Sequence, residues 1–317
     1  MKVLAGLHHF PSDMGCVATI GNFDGVHLGH QAILQKLQEK SRELNLPSVI
    51  LTFEPQPAEF FLGKDAFARL SSLREKIEIF SKYGIDYVCR LKFNQDMASM
   101  TAEAFANTCL LDLLQLRYLI VGSDFQFGAN RQGNALLLSD YFKAAHRELE
   151  IFPDFEVSGQ RVSSTRIRNL LREGMLGQAA KLLGRTYSIC GRVVIGNRQG
   201  CKWGIPTANI ALHRKSPPFT GVFFVKVRRS NGKIYNGVAN LGIRPTVDGT
   251  KTVLEVHLLN FKENLYTERL QVFFLHKLRD EIKFPNLDEL IHQIKNDIVA
   301  AEHYFSDSRM NLTLLAE

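Results

Sequence analysis

Gly21-Asn22-Phe23-Asp24-Gly25-Val26-His27-Leu28-Gly29-His30 follows a short, apolar, partly β-branched run, Cys16–Ile20. It leads into Gln31–Leu44, where Ile33, Leu34, Leu37 and Leu44 recur at helical spacing. Strand, glycine-rich turn and helix in that order open a βαβ unit. The alternation continues with a strand at Ser48–Phe53, a helix at Leu73–Tyr83 and a strand at Tyr87–Leu91. A helix at Ala102–Leu114, a strand at Tyr118–Val121 and a helix at Leu136–Arg147 follow. Ser72 and Glu75 have the spacing of a capping box. Strands alternating with long helices predict a doubly wound parallel sheet, which binds ligands beyond the carboxyl ends of its strands.

The pattern changes near Gly184. Short strands take over at Tyr187–Val194, Gly221–Arg228, Ile234–Leu241, Thr252–Leu259 and Leu270–Leu278, with turns at Ser230-Asn231-Gly232 and Val247-Asp248-Gly249. Such spacing predicts a small antiparallel barrel or sandwich. Leu287–Tyr304 closes the chain as an amphipathic helix, with Leu290, Ile291, Ile294, Ile298 and Ala301 on one face. The expected class is therefore α/β followed by β. The boundary falls in Leu183–Tyr187, giving domains at 1–184 and 185–317.

Composition agrees with two globular domains. The 317 residues are 45% hydrophobic and 22% charged, which excludes a disordered chain. The net charge of +7 favours anionic partners. No apolar run reaches the roughly 20 residues of a membrane span. The opening MKVLAGLHHF is interrupted by His8 and His9 before it reaches signal-peptide length, so a cytoplasmic protein is expected. Five scattered cysteines with no Cys-x-x-Cys pair predict neither a zinc site nor a disulfide framework.

Two stretches carry the chemistry of the first half. Glycines at 21, 25 and 29 let backbone approach a ligand, and the helix start beyond them favours an anion. His27 and His30 lie three apart there and can donate to phosphate oxygens as charge builds in a transition state. A glycine turn with two surface histidines is the plainer alternative. Arg161-Val162-Ser163-Ser164-Thr165-Arg166-Ile167-Arg168 opens a later helix. Its hydroxyls suit a cap or a phosphate, and its arginines suit a polyphosphate.

In the second half, Gly196, Gly200 and Gly204 make a loop able to wrap phosphates, and Pro206 stiffens its exit. Thr207 and Asn209 alternate, so an extended strand points both to one side, as two neutral oxygen ligands suited to Mg²⁺. The loop lacks the Gly-Lys-Ser/Thr ending of a Walker A motif. Glu255 and His257 share the polar face of a strand whose other face is apolar. A carboxylate so held can take a proton from an attacking hydroxyl.

The first set of motifs, Gly21-x-Phe23-Asp24-Gly25-x-His27-x-Gly29-His30 with Ser163-Ser164-Thr165-x-Ile167-Arg168, resembles the H-x-G-H nucleotidyltransferases. Closest is the FMN adenylyltransferase module of bacterial FAD synthetases. Thr52–Pro57 and Val121–Gly128 support this. Pro206-Thr207-Ala208-Asn209, Asn240–Thr246, Glu255-x-His257-Leu258-Leu259 and Arg279-x-Glu281-x-Lys283-Phe284 are similar to the riboflavin kinase module.

The resemblance implies a closing barrel and a bifunctional enzyme using ATP, riboflavin and FMN with Mg²⁺. His27 and His30 would then act on the ATP α-phosphate. Gly21, Phe23, Asp24, Gly25, Gly29, Arg161, Ser163, Ser164, Thr165, Arg166 and Arg168 would form the first nucleotide site. Gly200, Gly204, Pro206, Thr207 and Asn209 would form the second, with Glu255 as base and Thr207 and Asn209 on the metal. Asp124 and Arg279 would contact flavin. A histidine is usual in the family where this chain has Gln56. Trp203 replaces a smaller aliphatic residue and Asn260 an aspartate.

No nucleic-acid or membrane partner is expected, because the basic residues are dispersed and no arginine–aromatic platform is present. The expected state is a monomer or weak homo-oligomer. A flavin-responsive binder on an inactive scaffold is the rival from another class, and a chain keeping only the kinase is a narrower one.

Overall fold

The computed structural model describes all residues except 12–14, 197–199, 201–202, 213–215, 247–248 and 307–317. The interior of the Gly196–Gly204 loop and the turn at Val247-Asp248-Gly249 therefore lie outside the described residues. The chain forms two compact units. One is Met1–Phe67 with Leu73–Ser163; the other is Ala68–Ser72 with Ser164–Glu317.

The first unit contains β1 (Lys2–Leu4), β2 (Cys16–Ile20), α1 (Leu28–Leu44), β3 (Ser48–Phe53), α2 (Pro57–Leu62), α3 (Leu73–Lys82) and β4 (Tyr87–Leu91). Next come α4 (Gln95–Ser99), α5 (Ala102–Ala104), β5 (Leu116–Gly122), β6 (Gln126–Phe127), β7 (Gly133–Asn134), α6 (Ala135–Ala144) and β8 (Glu148–Phe152). A small hairpin, β9 (Glu156–Val157) and β10 (Gln160–Arg161), ends the unit. The expected helix at Ala102–Leu114 is there, but from Phe105 to Leu113 it winds as a π-helix.

Six strands make a parallel sheet in the order β1-β4-β3-β2-β5-β8. β2 through β4 step outward in one direction, and β5 and β8 step in the other. The order reverses between β2 and β5, and the crevice at such a reversal is where doubly wound sheets bind ligands. β2 is buried along its whole length, as expected of a central parallel strand covered on both faces. Val17, Leu34, Leu37, Phe80 and Ile120 pack on one side. Ala18, Leu51, Phe105, Leu110 and Phe142 pack on the other.

The second unit starts with α7 (Ser164–Arg172) and α8 (Leu176–Leu183). Its barrel strands are β11 (Ser188–Val194), β12 (Ala208–Ala211), β13 (Gly221–Arg228), β14 (Ile234–Thr246), β15 (Gly249–Leu258) and β16 (Arg269–Arg279), followed by α9 (Leu287–Ser306). They close as an antiparallel barrel in the order β11-β12-β15-β14-β13-β16, which decides for a barrel over a sandwich. Period-two alternation divides its wall. Phe223, Val225, Leu254, Val256 and Phe274 are buried inside, where Phe219, Phe223 and Phe274 meet edge to face at 5.0–5.3 Å. Val222, Phe224 and Val238 face outward and pack with Ala301 and Phe305 of α9.

Candidate functional site

In the first unit the loop after β2 is anchored by its own apolar residues. Phe23 and Val26 are buried among Leu34, Phe80 and Ile120. Both hold left-handed backbone, at φ 48° and 40°, beside Gly25 at φ 80°. Such a conformation strains a β-branched residue by roughly 1–3 kcal/mol, so packing has to hold it. The amide of Gly21 is tied to the Leu51 carbonyl at 3.1 Å. This fixes the loop against the carboxyl end of β3.

His27 caps α1: its Nδ1 accepts from the His30 amide at 3.3 Å. An accepting Nδ1 leaves the proton on Nε2, so the imidazole presents a donor away from the helix. The His27 and His30 rings stack at 3.7 Å and 15°, and Phe23 lies 5.1 Å from His30. Gly29 sits close to its neighbours: a Cβ there would come within 3.2 Å of the Phe155 Cβ and 3.4 Å of the His27 ring, so Phe155 would have to give by a few tenths of an ångström. Asp24 and His27 are both buried. The structure thus brings the predicted histidines together and gives them one orientation.

Asp124 follows β5, the strand across the reversal from β2. Its carboxylate takes a 2.7 Å ion pair from Arg161, which also reaches Asp154 at 3.2 Å. Two residues expected to contact different ligands are therefore each other's partners. Ser163 ends the first unit, whereas Ser164, Thr165, Arg166 and Arg168 belong to the second. Arg168 is buried, with Nε donating to the Ala68 carbonyl at 2.7 Å.

Three features were not legible in the sequence: the burial of Gln56, an aromatic cluster and the burial of Lys76. Gln56 is buried at the start of α2, and its Nε2 has no hydrogen-bond partner among the described residues. Phe60, Phe61 and Phe93 form a cluster with centroids 5.3–5.6 Å apart, and Phe61 is 64% exposed. The Phe60-Phe61 doublet beside the Pro57 helix start was its sequence signal. Lys76 of α3 is fully buried, and its position on an amphipathic helix gave no sign of that.

In the second unit, register builds the site. Asn209 lies opposite Glu255, Glu255 opposite Asn240, Asn240 opposite Val222 and Val222 opposite Arg279. Directly paired residues put their side chains on one face. All five line a cavity of about 230 Å³ with Thr207 and, from α9, Ile294. Glu255 therefore stands on the outer face of the wall, while Leu254 and Val256 fill the interior. Asn240 Oδ1 is a buried acceptor without a partner among the described residues.

His257 Nδ1 holds the Pro206 carbonyl at 2.8 Å, which fixes the entry to Thr207 and Asn209. Gly196 and Gly200 permit close approach: a Cβ would come within 2.5 Å of the Asn209 amide or 2.4 Å of the Ile205 carbonyl. Gly204 takes φ 74°. Arg279 is clamped by Asp297, with Nε and Nη2 donating at 3.0 and 2.7 Å; Gln293 adds a bond to the same carboxylate at 2.9 Å.

The donor set suits Mg²⁺. Thr207 and Asn209 offer neutral oxygen ligands beside the cavity that Glu255 also lines. Among the described residues no three His, Cys, Asp or Glu side chains cluster as an all-protein cage. Mg²⁺ is usually held by few protein ligands, with water and phosphate supplying the rest. Three of the cysteines, Cys16, Cys89 and Cys109, are buried and poorly suited to act as nucleophiles. Burial raises the thiols of Cys16, Cys89 and Cys109, that of Cys89 to about 12.

A reversed parallel sheet with a paired-histidine helix start, joined to a barrel with a carboxylate flanked by amides, defines a two-site transferase. The FAD synthetase model matches residues 9–166 and the riboflavin kinase model residues 183–305. A bifunctional riboflavin kinase/FMN adenylyltransferase of Haemophilus influenzae is 46% identical, over 96% of this chain and 100% of its own. That of Escherichia coli K12 is 43% identical, over 96% and 98%. The chain belongs to this bifunctional riboflavin kinase/FMN adenylyltransferase family.

A solved structure described as a macrolide-efflux protein from Streptococcus pneumoniae matches at TM-score 0.79 and 30% identity, over 96% and 99% of the two chains. No helix among the described residues here is long and apolar enough to cross a membrane.

Proposed function

We infer that this chain makes FMN from riboflavin and ATP, and then FAD from FMN and a second ATP. The observation that carries the reading is the match, at 43–46% identity and nearly full length, to enzymes named for both reactions. We assign adenylyl transfer to residues 1–184 and phosphorylation to 185–317.

In the kinase step, the ribityl hydroxyl oxygen attacks the ATP γ-phosphorus, the bond to ADP breaks, and Glu255 takes the hydroxyl proton. Thr207 and Asn209 would hold Mg²⁺, which neutralises phosphate charge when bound. The glycines at 200 and 204 bring backbone to the phosphates, and Pro206, held by His257, fixes their exit. Arg279, oriented by Asp297, faces the flavin.

In the second step, an FMN phosphate oxygen attacks the ATP α-phosphorus and pyrophosphate leaves. His27 and His30 donate to α-phosphate oxygens as charge accumulates. Gly21, Phe23, Asp24, Gly25 and Gly29 shape the cradle. The motif's resemblance assigns Ser163, Ser164, Thr165, Arg166 and Arg168 to nucleotide phosphate; within the second unit Arg168 orders its own helix start through Ala68. Arg161 serves the nucleotide and its ion-pair partner Asp124 the flavin, while the Phe60–Phe61–Phe93 cluster, with Phe61 exposed, suits the apolar flavin ring. The enzyme acts in the cytoplasm as a monomer or weak homo-oligomer, without nucleic-acid or membrane partners.

Incubating the purified chain with riboflavin, ATP and Mg²⁺, and separating flavins over time, tests this. FMN should rise first and FAD follow. Retained riboflavin with no ATP consumed would instead favour the binding-protein reading.

A further inference from the structure

The least expected side chain in the first unit is Lys76. It is fully buried, and it sits on α3 rather than on the nucleotide loop. Its Nζ donates to the Asn22 carbonyl at 2.8 Å and to the Thr52 hydroxyl at 3.4 Å. Asn22 lies between Gly21 and the left-handed Phe23. Thr52 is in β3, one residue beyond Leu51, whose carbonyl holds the Gly21 amide. Lys76 thus joins the loop after β2 to the end of β3. Two buried carboxylates accompany it in sequence, Asp24 on the loop and Glu75 beside it on α3.

Burying an ammonium group costs several kcal/mol unless hydrogen bonds and charge compensate it. A methionine of similar length would fill the same space without that cost. A charge kept there under a phosphate loop has a use. It fixes a carbonyl that would otherwise be free to turn toward the phosphates, and it adds fixed positive potential in a low-dielectric interior.

We propose that Lys76 is a positioning residue for adenylyl transfer. Its ammonium group locks the Asn22 carbonyl, hence the loop conformation that carries His27 to the α-phosphate. The inference rests on the nucleotide-site reading above. It adds a residue outside the motif, one that acts through the loop rather than on the substrate.

The test is Lys76→Met in the full chain, with His27→Ala in parallel and the kinase reaction of the same chain as internal control. Misplacing a catalytic group by about 1 Å can cost roughly 10²-fold. In folded Lys76→Met the kcat for FAD formation should fall by about that factor, while KM for ATP changes by less than about threefold and kinase turnover stays at the parent value. Lys76→Arg, which restores a buried cation on a longer arm, should recover part of the loss.

A merely structural lysine would lower the unfolding midpoint and leave kcat of the folded protein unchanged. That result, or adenylyl transfer within about threefold of the parent, overturns the proposal. Should Lys76→Met not fold, Lys76→Gln is measured for the same outcomes. If His27→Ala is inactive and Lys76→Met is not, only the lysine inference fails. If both variants keep full activity, the nucleotide-site reading fails with it.

Discussion

The two sites are built by opposite means. In the first unit the histidines, the glycines and the buried Phe23 and Val26 lie within ten consecutive residues, so the loop carries most of its own geometry. In the barrel, Asn209, Glu255, Asn240, Val222 and Arg279 come from five strands, and register alone brings them into one row. A local site is sensitive to backbone conformation at a few positions. A register site tolerates exchange of side chains, but it depends on closure of the whole barrel.

The sharpest break between the two is Glu255→Gln. The change preserves shape, leaves Asn209 and Asn240 opposite it, and removes only the base. Losing a positioned base costs about 10²–10⁴-fold. FMN formation should fall by that order, while FAD formation from supplied FMN continues at the parent rate. Near-normal phosphorylation by this variant would take Glu255 out of the mechanism.

His27→Ala is the matching break in the other unit, with a somewhat smaller expected effect. A preorganised donor to a developing oxyanion is worth roughly 10²–10³-fold. FAD formation should drop by that factor and phosphorylation should not change. The variant also loses the cap on α1, so its unfolding free energy should fall by about 1 kcal/mol, a typical cap loss. Measuring rate on folded protein keeps the two effects apart. Unchanged FAD synthesis would mean that the nucleotide is held some other way.

The same contrast explains what the sequence let one read. The alternation of strands and helices, and the glycine–histidine loop, are local signals, and they led directly to the doubly wound parallel sheet, whose strand order only the structure gives. Glu255 was legible as a polar residue on an apolar strand. That Asn240, named only as the start of a motif, stands opposite it was not legible, because the pairing of β14 with β15 is a non-local fact. Asp297 was hidden for the same reason: on α9 it reads as one more exposed acid, yet it is buried and clamps Arg279. Arg168 was assigned to phosphate from its motif, whereas its burial and its bond to Ala68 show a second task that no motif could announce. The burial of Lys76 and of Gln56 was invisible for a further reason. Burial of a polar residue runs against its ordinary preference, so composition and periodicity both point the wrong way.

Gln56→His should have the smallest effect and is the finest probe of the local site. Gln56 Nε2 is a buried donor with no partner among the described residues, at the start of α2, three residues past the end of β3. An amide donor does not titrate, so any contribution it makes is independent of pH. An imidazole there would be neutral at high pH and cationic only below its pKa. That value starts near 6.5 for an unperturbed histidine, and burial lowers it further. If positive charge at this position helps adenylyl transfer, the substituted enzyme should gain a few-fold over the parent. The gain should be confined to acid pH, below about 6.5, and vanish as pH rises and the ring loses its proton. The kinase pH profile, set by the other unit, should be superimposable between the two proteins. A few-fold loss at every pH would mean instead that the geometry of the amide donor matters, and that Gln56 already supplies by hydrogen bonding what a histidine supplies elsewhere in the family.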